Sequence, residues 1–154
     1  MAEARIVRSS EGDVYDPHWL FKHGSLTGGK FDFMVGTIEF LSGPPLHVHR
    51  VQEDTFFVLE GVLTVQVGDE MFDLKPGDFA TVPPGVPHTF DNIDKDQPPV
   101  KACNLMTPSG MDAQFRDMSS LTKQGDDPVK LAQLREKHGI TSVGPTLGVK
   151  LGLA

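Results

Sequence analysis

The chain has 154 residues, 38% hydrophobic and 23% charged, which are ordinary proportions for one soluble globular domain around a single core. Its net charge of −7, from 14 basic and 21 acidic residues, argues against nucleic acid and anionic membrane surfaces as partners. One cysteine, Cys103, makes no internal disulfide, and residues 1–10 hold no long apolar run. The expectation is therefore a cytoplasmic protein without signal peptide or spanning helix.

Residues 1–30 look irregular, because Gly12, Pro17, Gly24, Gly28 and Gly29 interrupt any period. The first convincing strand is the Phe-rich stretch from Phe31 to Leu41, which Pro44-Pro45 ends. Thr55 to Leu59 is an unbroken β-rich run, and Leu63-Thr-Val-Gln-Val alternates apolar with polar as a half-buried strand does. Gly68-Asp69 reads as a two-residue hairpin turn that pairs Glu70–Leu74 back onto it. Lys75-Pro-Gly-Asp is a second turn, and Phe79–Val82 is a strand. Pro83-Pro-Gly-Val-Pro is a rigid corner that cannot donate ladder hydrogen bonds. Strands resume over His88–Asn92 and, past a loop at 94–99, over Val100–Met106. Many short strands spaced by turns imply a sandwich or barrel. The period then becomes helical. Met111, Phe115, Met118 and Leu121 form one stripe, and a second helix runs from Pro128, capped by Asp127, to about His138, where Gly139 closes it. Leu131, Leu134 and Ile140 are expected to pack that helix on the barrel. Residues 143–154 show no clear period.

The chemistry gathers between residues 43 and 92. In a strand, residues i and i+2 share a face, so His47 and His49 present two imidazoles on one side. His88 comes from a separate strand, and Glu53 and Asp54 follow the first pair. Imidazoles with one carboxylate suit Zn, Fe, Ni, Cu or Mn. A plain strand points Glu53 and Asp54 to opposite faces, so only one can join the histidines; a bulge there would exchange them. Asp54, Glu53 and no carboxylate at all remain open as the fourth ligand. The plainer reading is three unrelated strand histidines.

These residues resemble the two motifs of the cupins. Gly77, Pro83, Gly85, His88 and Asn92 match the second motif at every position. The first motif departs twice: three residues rather than five separate Gly43 from His47, and Asp54 stands in the slot of the family's glutamate, six residues before Gly61. The likeness covers about residues 33–107, and the run from Asp127 to Ile140 looks like the end of quercetin-dioxygenase-like cupins. The resemblance implies an all-β double-stranded β-helix, the jelly-roll cupin barrel, with two short C-terminal helices. One domain over 1–154 would have its barrel core at about 31–107 and a helical tail at about 110–140. It implies one divalent transition metal ion held by His47, His49, Asp54 and His88, and a metal-dependent dioxygenase of quercetinase type acting on a small enolisable or aromatic substrate. There Asp54 would ligate or take the substrate proton, and the ion would serve as Lewis acid and template.

Three other outcomes stay open: a cupin isomerase, for which no second base is visible; a non-catalytic small-molecule or metal-binding cupin; and a sensor domain, for which a DNA-binding module is wanting. Phe56, Val58 and Phe90 share parity with Asp54 and His88 and serve as barrel core, as an apolar pocket wall, or as both. His18, His23 and His138 are expected at the surface, and Cys103 buried in a strand. A two-fold homodimer is expected, since sheet edges need covers; the first strand and the tail helices are its suggested contributors.

Overall fold

A computed structural model of the chain describes residues 4–16, 19–22, 24–122, 125 and 127–154. Its strands are β1 (Asp13–Asp16), β2 (Trp19–Lys22), β3 (Asp32–Ile38), β4 (His47–His49), β5 (Glu53–Glu60), β6 (Leu63–Val67), β7 (Glu70–Leu74), β8 (Phe79–Val82), β9 (His88–Asp91) and β10 (Val100–Thr107). Helices α1 (Met111–Thr122) and α2 (Pro128–Lys137), strand β11 (Ile140–Ser142) and the short helix α3 (Leu147–Lys150) complete the chain. The strands form two antiparallel sheets, ordered β1-β2-β3-β10-β5-β8 and β11-β4-β9-β6-β7. From β3 to β10 the chain passes repeatedly from one sheet to the other. That is the expected double-stranded β-helix, with short helices after it.

Period-two alternation decides what lies between the sheets. β10 buries Val100, Ala102, Asn104 and Met106, and β3 buries Asp32, Met34, Gly36 and Ile38. At one end Ile38, Phe56, Val58, Leu63, Val65 and Val100 make a packed apolar core. At the other, Met34, Met106, Met111 and Ile140 make a smaller cluster. Along β10, Asn104 falls between the two, and in β5 the inward residue after Val58 and Phe56 towards the N-terminus is Asp54. A polar layer therefore separates two apolar ones.

Several expectations change. The stretch before residue 31 is not irregular: β1 pairs with β2, and β2 with β3. Trp19 lies opposite Gly36, and a Cβ on Gly36 would stand 2.2 Å from the Trp19 ring. The strand is thus held by a fit to its neighbour that no local period reveals. α3 was likewise hidden in the aperiodic stretch 143–154, and β11 in the three residues after Gly139. Thr146 caps α3 and Leu147 is fully buried. Ile140 lies in β11, buried with Met34, Met106 and Met111, and α2, whose Leu131 and Leu134 are half-buried, rests on α1 and on that strand. The α2 cap is as expected, with Asp127 accepting from the N–H groups of Val129 and Lys130. Asp32 on β3 performs the same service for α1, its Oδ2 accepting from the Gly110 and Met111 N–H groups at 2.7 and 2.8 Å.

Cys103 is half-buried on the outward side of β10, not in the core. His138 is not a free surface residue: its Nε2 lies 2.8 Å from Asp117 Oδ2, tying α2 to α1, and this contact holds the Asp117 carboxyl below the usual range. His18 and His23 lie outside the described residues. No helix among the described residues is long and apolar enough to cross a membrane.

Gly43, the glycine that sits too close to His47 for the family spacing, has a steric reason to be glycine. A Cβ there would stand 1.9 Å from the Phe90 carbonyl oxygen, and its N–H donates to Asp91 Oδ1 at 2.9 Å. Gly43→Ala is therefore expected to destabilise the protein by about 1–3 kcal/mol, read as a lower urea midpoint at unchanged slope.

Candidate metal centre

β4 carries His47 and His49 inward with Val48 between them, as strand parity requires. The strand is held on both sides. His47 pairs with His88 of β9, and His49 and His47 pair with Ile140 and Ser142 of β11. Outside it, the Arg50 guanidinium grips Glu136 at the end of α2, and Thr141 donates to the same carboxylate at 2.7 Å. The fourth group comes from the opposite sheet. β5 alternates cleanly from Glu53 onward, its bulge falling near Leu59 rather than at residue 53, so Asp54 faces in and Glu53 faces out. Glu53 accepts from Thr81 Oγ1 at 2.6 Å on the outer side. Asp54 is the carboxylate that the structure brings to the histidines, and the missing methylene does not keep it away.

One donor atom from each of His47, His49, Asp54 and His88 lies within 4.8 Å of every other, and all four residues are buried. His47 Nε2 is 3.1 Å from His49 Nε2, and Asp54 Oδ2 is 3.0 Å from His88 Nε2 and 3.5 Å from His49 Nε2. A metal ion with bonds of about 2.0–2.1 Å to nitrogen spaces its donors roughly 3.0–3.4 Å apart.

The protonation pattern points the same way. His47 Nδ1 lies 2.7 Å from the Pro45 carbonyl, and His88 Nδ1 2.9 Å from that of Val86. Each carbonyl accepts the Nδ1 proton, which leaves a lone pair on each Nε2, aimed at the centre. Burial, then the neighbouring His88, pushes His47 down to about 3, so its ring is neutral at ordinary pH. Burial alone would raise the Asp54 carboxyl; hydrogen bonds from His49 and His88 outweigh it and lower it, so an ionised Asp54 needs a positive partner at that point, either a proton on a facing ring nitrogen or a metal ion in the proton's place. Lone pairs and a negative charge so close together repel unless a cation sits among them. The donor set fits a divalent transition metal, whose identity it leaves open between Zn, Fe, Ni, Cu and Mn.

Asn104 is a residue that sequence reasoning missed. Its Nδ2 donates to Asp54 Oδ1 and, at 3.0 Å, to the Thr55 carbonyl, so only Oδ2 faces the histidines. A signal was available: a polar residue in the alternating set that otherwise reads Val100, Ala102 and Met106. Asn104→Leu is expected to lower metal affinity about 10- to 100-fold with the fold retained, as measured by competition with a chelating dye.

A cavity of about 210 Å³ opens beside His47, His49 and Asp54. Trp19, Met34, Met106, Met111 and Phe115 give it apolar walls. Phe90 also lines it, whereas Phe56 and Val58 are core, so the phenylalanine stripe divides between the two roles.

Residues 36–104 match the family model of the cupin domain. With the double-stranded β-helix around it, this part of the chain is a cupin domain carrying a buried His/Asp group able to hold a metal. An alignment 94 positions long, which takes in 55% of this chain, is 32% identical to quercetin 2,3-dioxygenase of Bacillus subtilis and covers 26% of that protein. Another of 70 residues, 46% of this chain, is 30% identical to an uncharacterized protein of Methanocaldococcus jannaschii and covers 56% of it. The chain thus spans about a quarter of the first relative and just over half of the second. Among solved structures, a cupin protein from Bacteroides fragilis superposes with a TM-score of 0.56 at 16% identity, over 71% of this chain and 88% of that one, which shows a shared fold.

Proposed function

We propose that the protein is a metal-dependent dioxygenase acting on a small enolisable or aromatic compound. The observation that carries this reading is the convergence of three imidazole nitrogens and one carboxylate oxygen beside an apolar, substrate-sized cavity. A divalent ion bound there supplies Lewis acidity and a template for an enolate or phenolate oxygen. His47, His49 and His88 hold it, the first and last with their rings fixed by Pro45 and Val86. Asp54 Oδ2 is the carboxylate oxygen left to ligate or to accept the proton that leaves the substrate, because Asn104 occupies Oδ1. The methionine and aromatic walls exclude water from the substrate carbon. The likeness to a quercetin-cleaving enzyme over part of the chain supports the reaction class.

Volume narrows the substrate. A cavity of about 150 Å³ encloses a benzene ring, so one of about 210 Å³ seats a single ring with a short side chain. Elemental analysis of protein purified without added metal, followed by oxygen-electrode assays with flavonols and with single-ring enolisable compounds, tests the proposal. Uptake with the smaller compounds is expected. Metal-loaded protein that binds such compounds and consumes no oxygen is a binding module instead.

A further inference from the structure

The cavity wall facing the tail carries two polar groups that the metal chemistry does not use. Arg135 lies on α2, one residue before the Glu136 that anchors the helix to Arg50, and it lines the cavity with His47, His49 and Asp54. It is the only lysine or arginine among the described lining residues. Its Nε is buried without a hydrogen-bond partner, its Nη1 reaches only Ser142 Oγ at 3.4 Å, and it forms no ion pair among the described residues. Gln114 on α1 is 3% exposed and lines the same space. Its Oε1 is buried without a partner, and its Nε2 spends an N–H on the weak acceptor Met118 Sδ at 3.3 Å. Buried polar groups are almost always satisfied, and a partly buried cation with no counter-charge calls for an anion. Burial lowers the Arg135 pKa from its ordinary value, yet a guanidinium stays charged at any physiological pH.

We infer that the cavity selects a small amphipathic carboxylate, whose acid group sits on the Arg135 guanidinium with the Gln114 amide as second polar contact. Its apolar or single-ring body lies against the methionine and aromatic wall, and its reactive end faces the His/Asp group. The guanidinium fork matches two carboxylate oxygens, and the amide can turn to offer an acceptor or a donor. This deepens the oxygenase reading by naming its substrate class and rests on that reading only for what becomes of the bound acid.

The test uses the protein as purified with its metal, and two probes: phenylpyruvate, and 1-phenylpropan-2-one, which keeps the ring and ketone but lacks the carboxylate. Calorimetry measures affinity. Emission from Trp19, the single tryptophan and a cavity residue, reports occupancy. Phenylpyruvate is expected to bind about 10- to 100-fold more tightly than the ketone. Arg135→Gln is expected to erase that difference while leaving ketone binding and metal content unchanged, and Arg135→Lys to restore part of it. Gln114→Leu is expected to weaken phenylpyruvate binding alone. Equal affinity of the native protein for the two probes overturns the inference, even where the variants fail to fold, and so does a folded Arg135→Gln protein that binds phenylpyruvate normally. Arg135-dependent binding of phenylpyruvate without oxygen uptake upholds the carboxylate site and removes the oxygenase reading.

Discussion

Asp54→Asn is expected to lower metal affinity by more than about 100-fold, or, where metal is forced in, to abolish turnover, while Glu53→Gln leaves both within experimental error. Loss of a group that only supports a ligand already costs about 10- to 100-fold in metal affinity, and Asp54 is itself one of the four converging groups. Asparagine preserves the shape and can still meet Asn104, so the comparison isolates the ionised oxygen that faces His88 and His49. Glu53 sits on the other face of β5, where Thr81 holds it, and outward substitutions of that kind change stability by about 0.5 kcal/mol or less. Metal content by elemental analysis and oxygen consumption by electrode give the two readouts. A Glu53→Gln protein that loses metal while Asp54→Asn keeps it would reverse the assignment and require a strand register other than the one that pairs Asp54 with Met106 and Val82.

Removing the metal is expected to have the second large effect. Three buried imidazoles and a carboxylate, two of the rings already presenting lone pairs, have no compensating protein cation among their mutual contacts. An ion that binds only the folded state stabilises it by mass action, about 2.7 kcal/mol when free metal is 100 times its dissociation constant. For a chain of this size that corresponds to a fall in Tm of roughly 5–10 °C on chelation. His49→Ala should behave as the chelated protein does and gain little when metal is returned. Calorimetric melting with and without chelator measures this, and unchanged metal content in a variant lacking all three histidines would rule out the site.

The same four residues show how far strand logic reaches. His47 and His49 share a face because side-chain direction in an extended chain alternates whatever the rest of the protein does, and the Pro-Gly corner before His88 marks where the third histidine enters a strand. These are local properties, written in two- to six-residue spacings, and so most strands between residues 32 and 107 and the three imidazoles could be read from sequence alone, while the form of the barrel came from the resemblance of the two motifs to the cupins. The choice between Asp54 and Glu53 was half local: parity said that only one could face inward, and the absence of a bulge at that point said which.

What the tertiary structure alone decided rests on contacts between residues distant in the chain. Trp19 fits against Gly36, Gly43 against the Phe90 carbonyl, Asn104 against Asp54, and β11 against the histidine strand. None of these leaves a period, because each is a single residue or one short strand shaped by a neighbour from another element of the fold. Arg135 is the clearest case. In sequence it is one more charge on a polar helix; only the docking of α2 beside α1 and β11 makes it, among the described lining residues, the one lysine or arginine of a cavity that also holds Asp54.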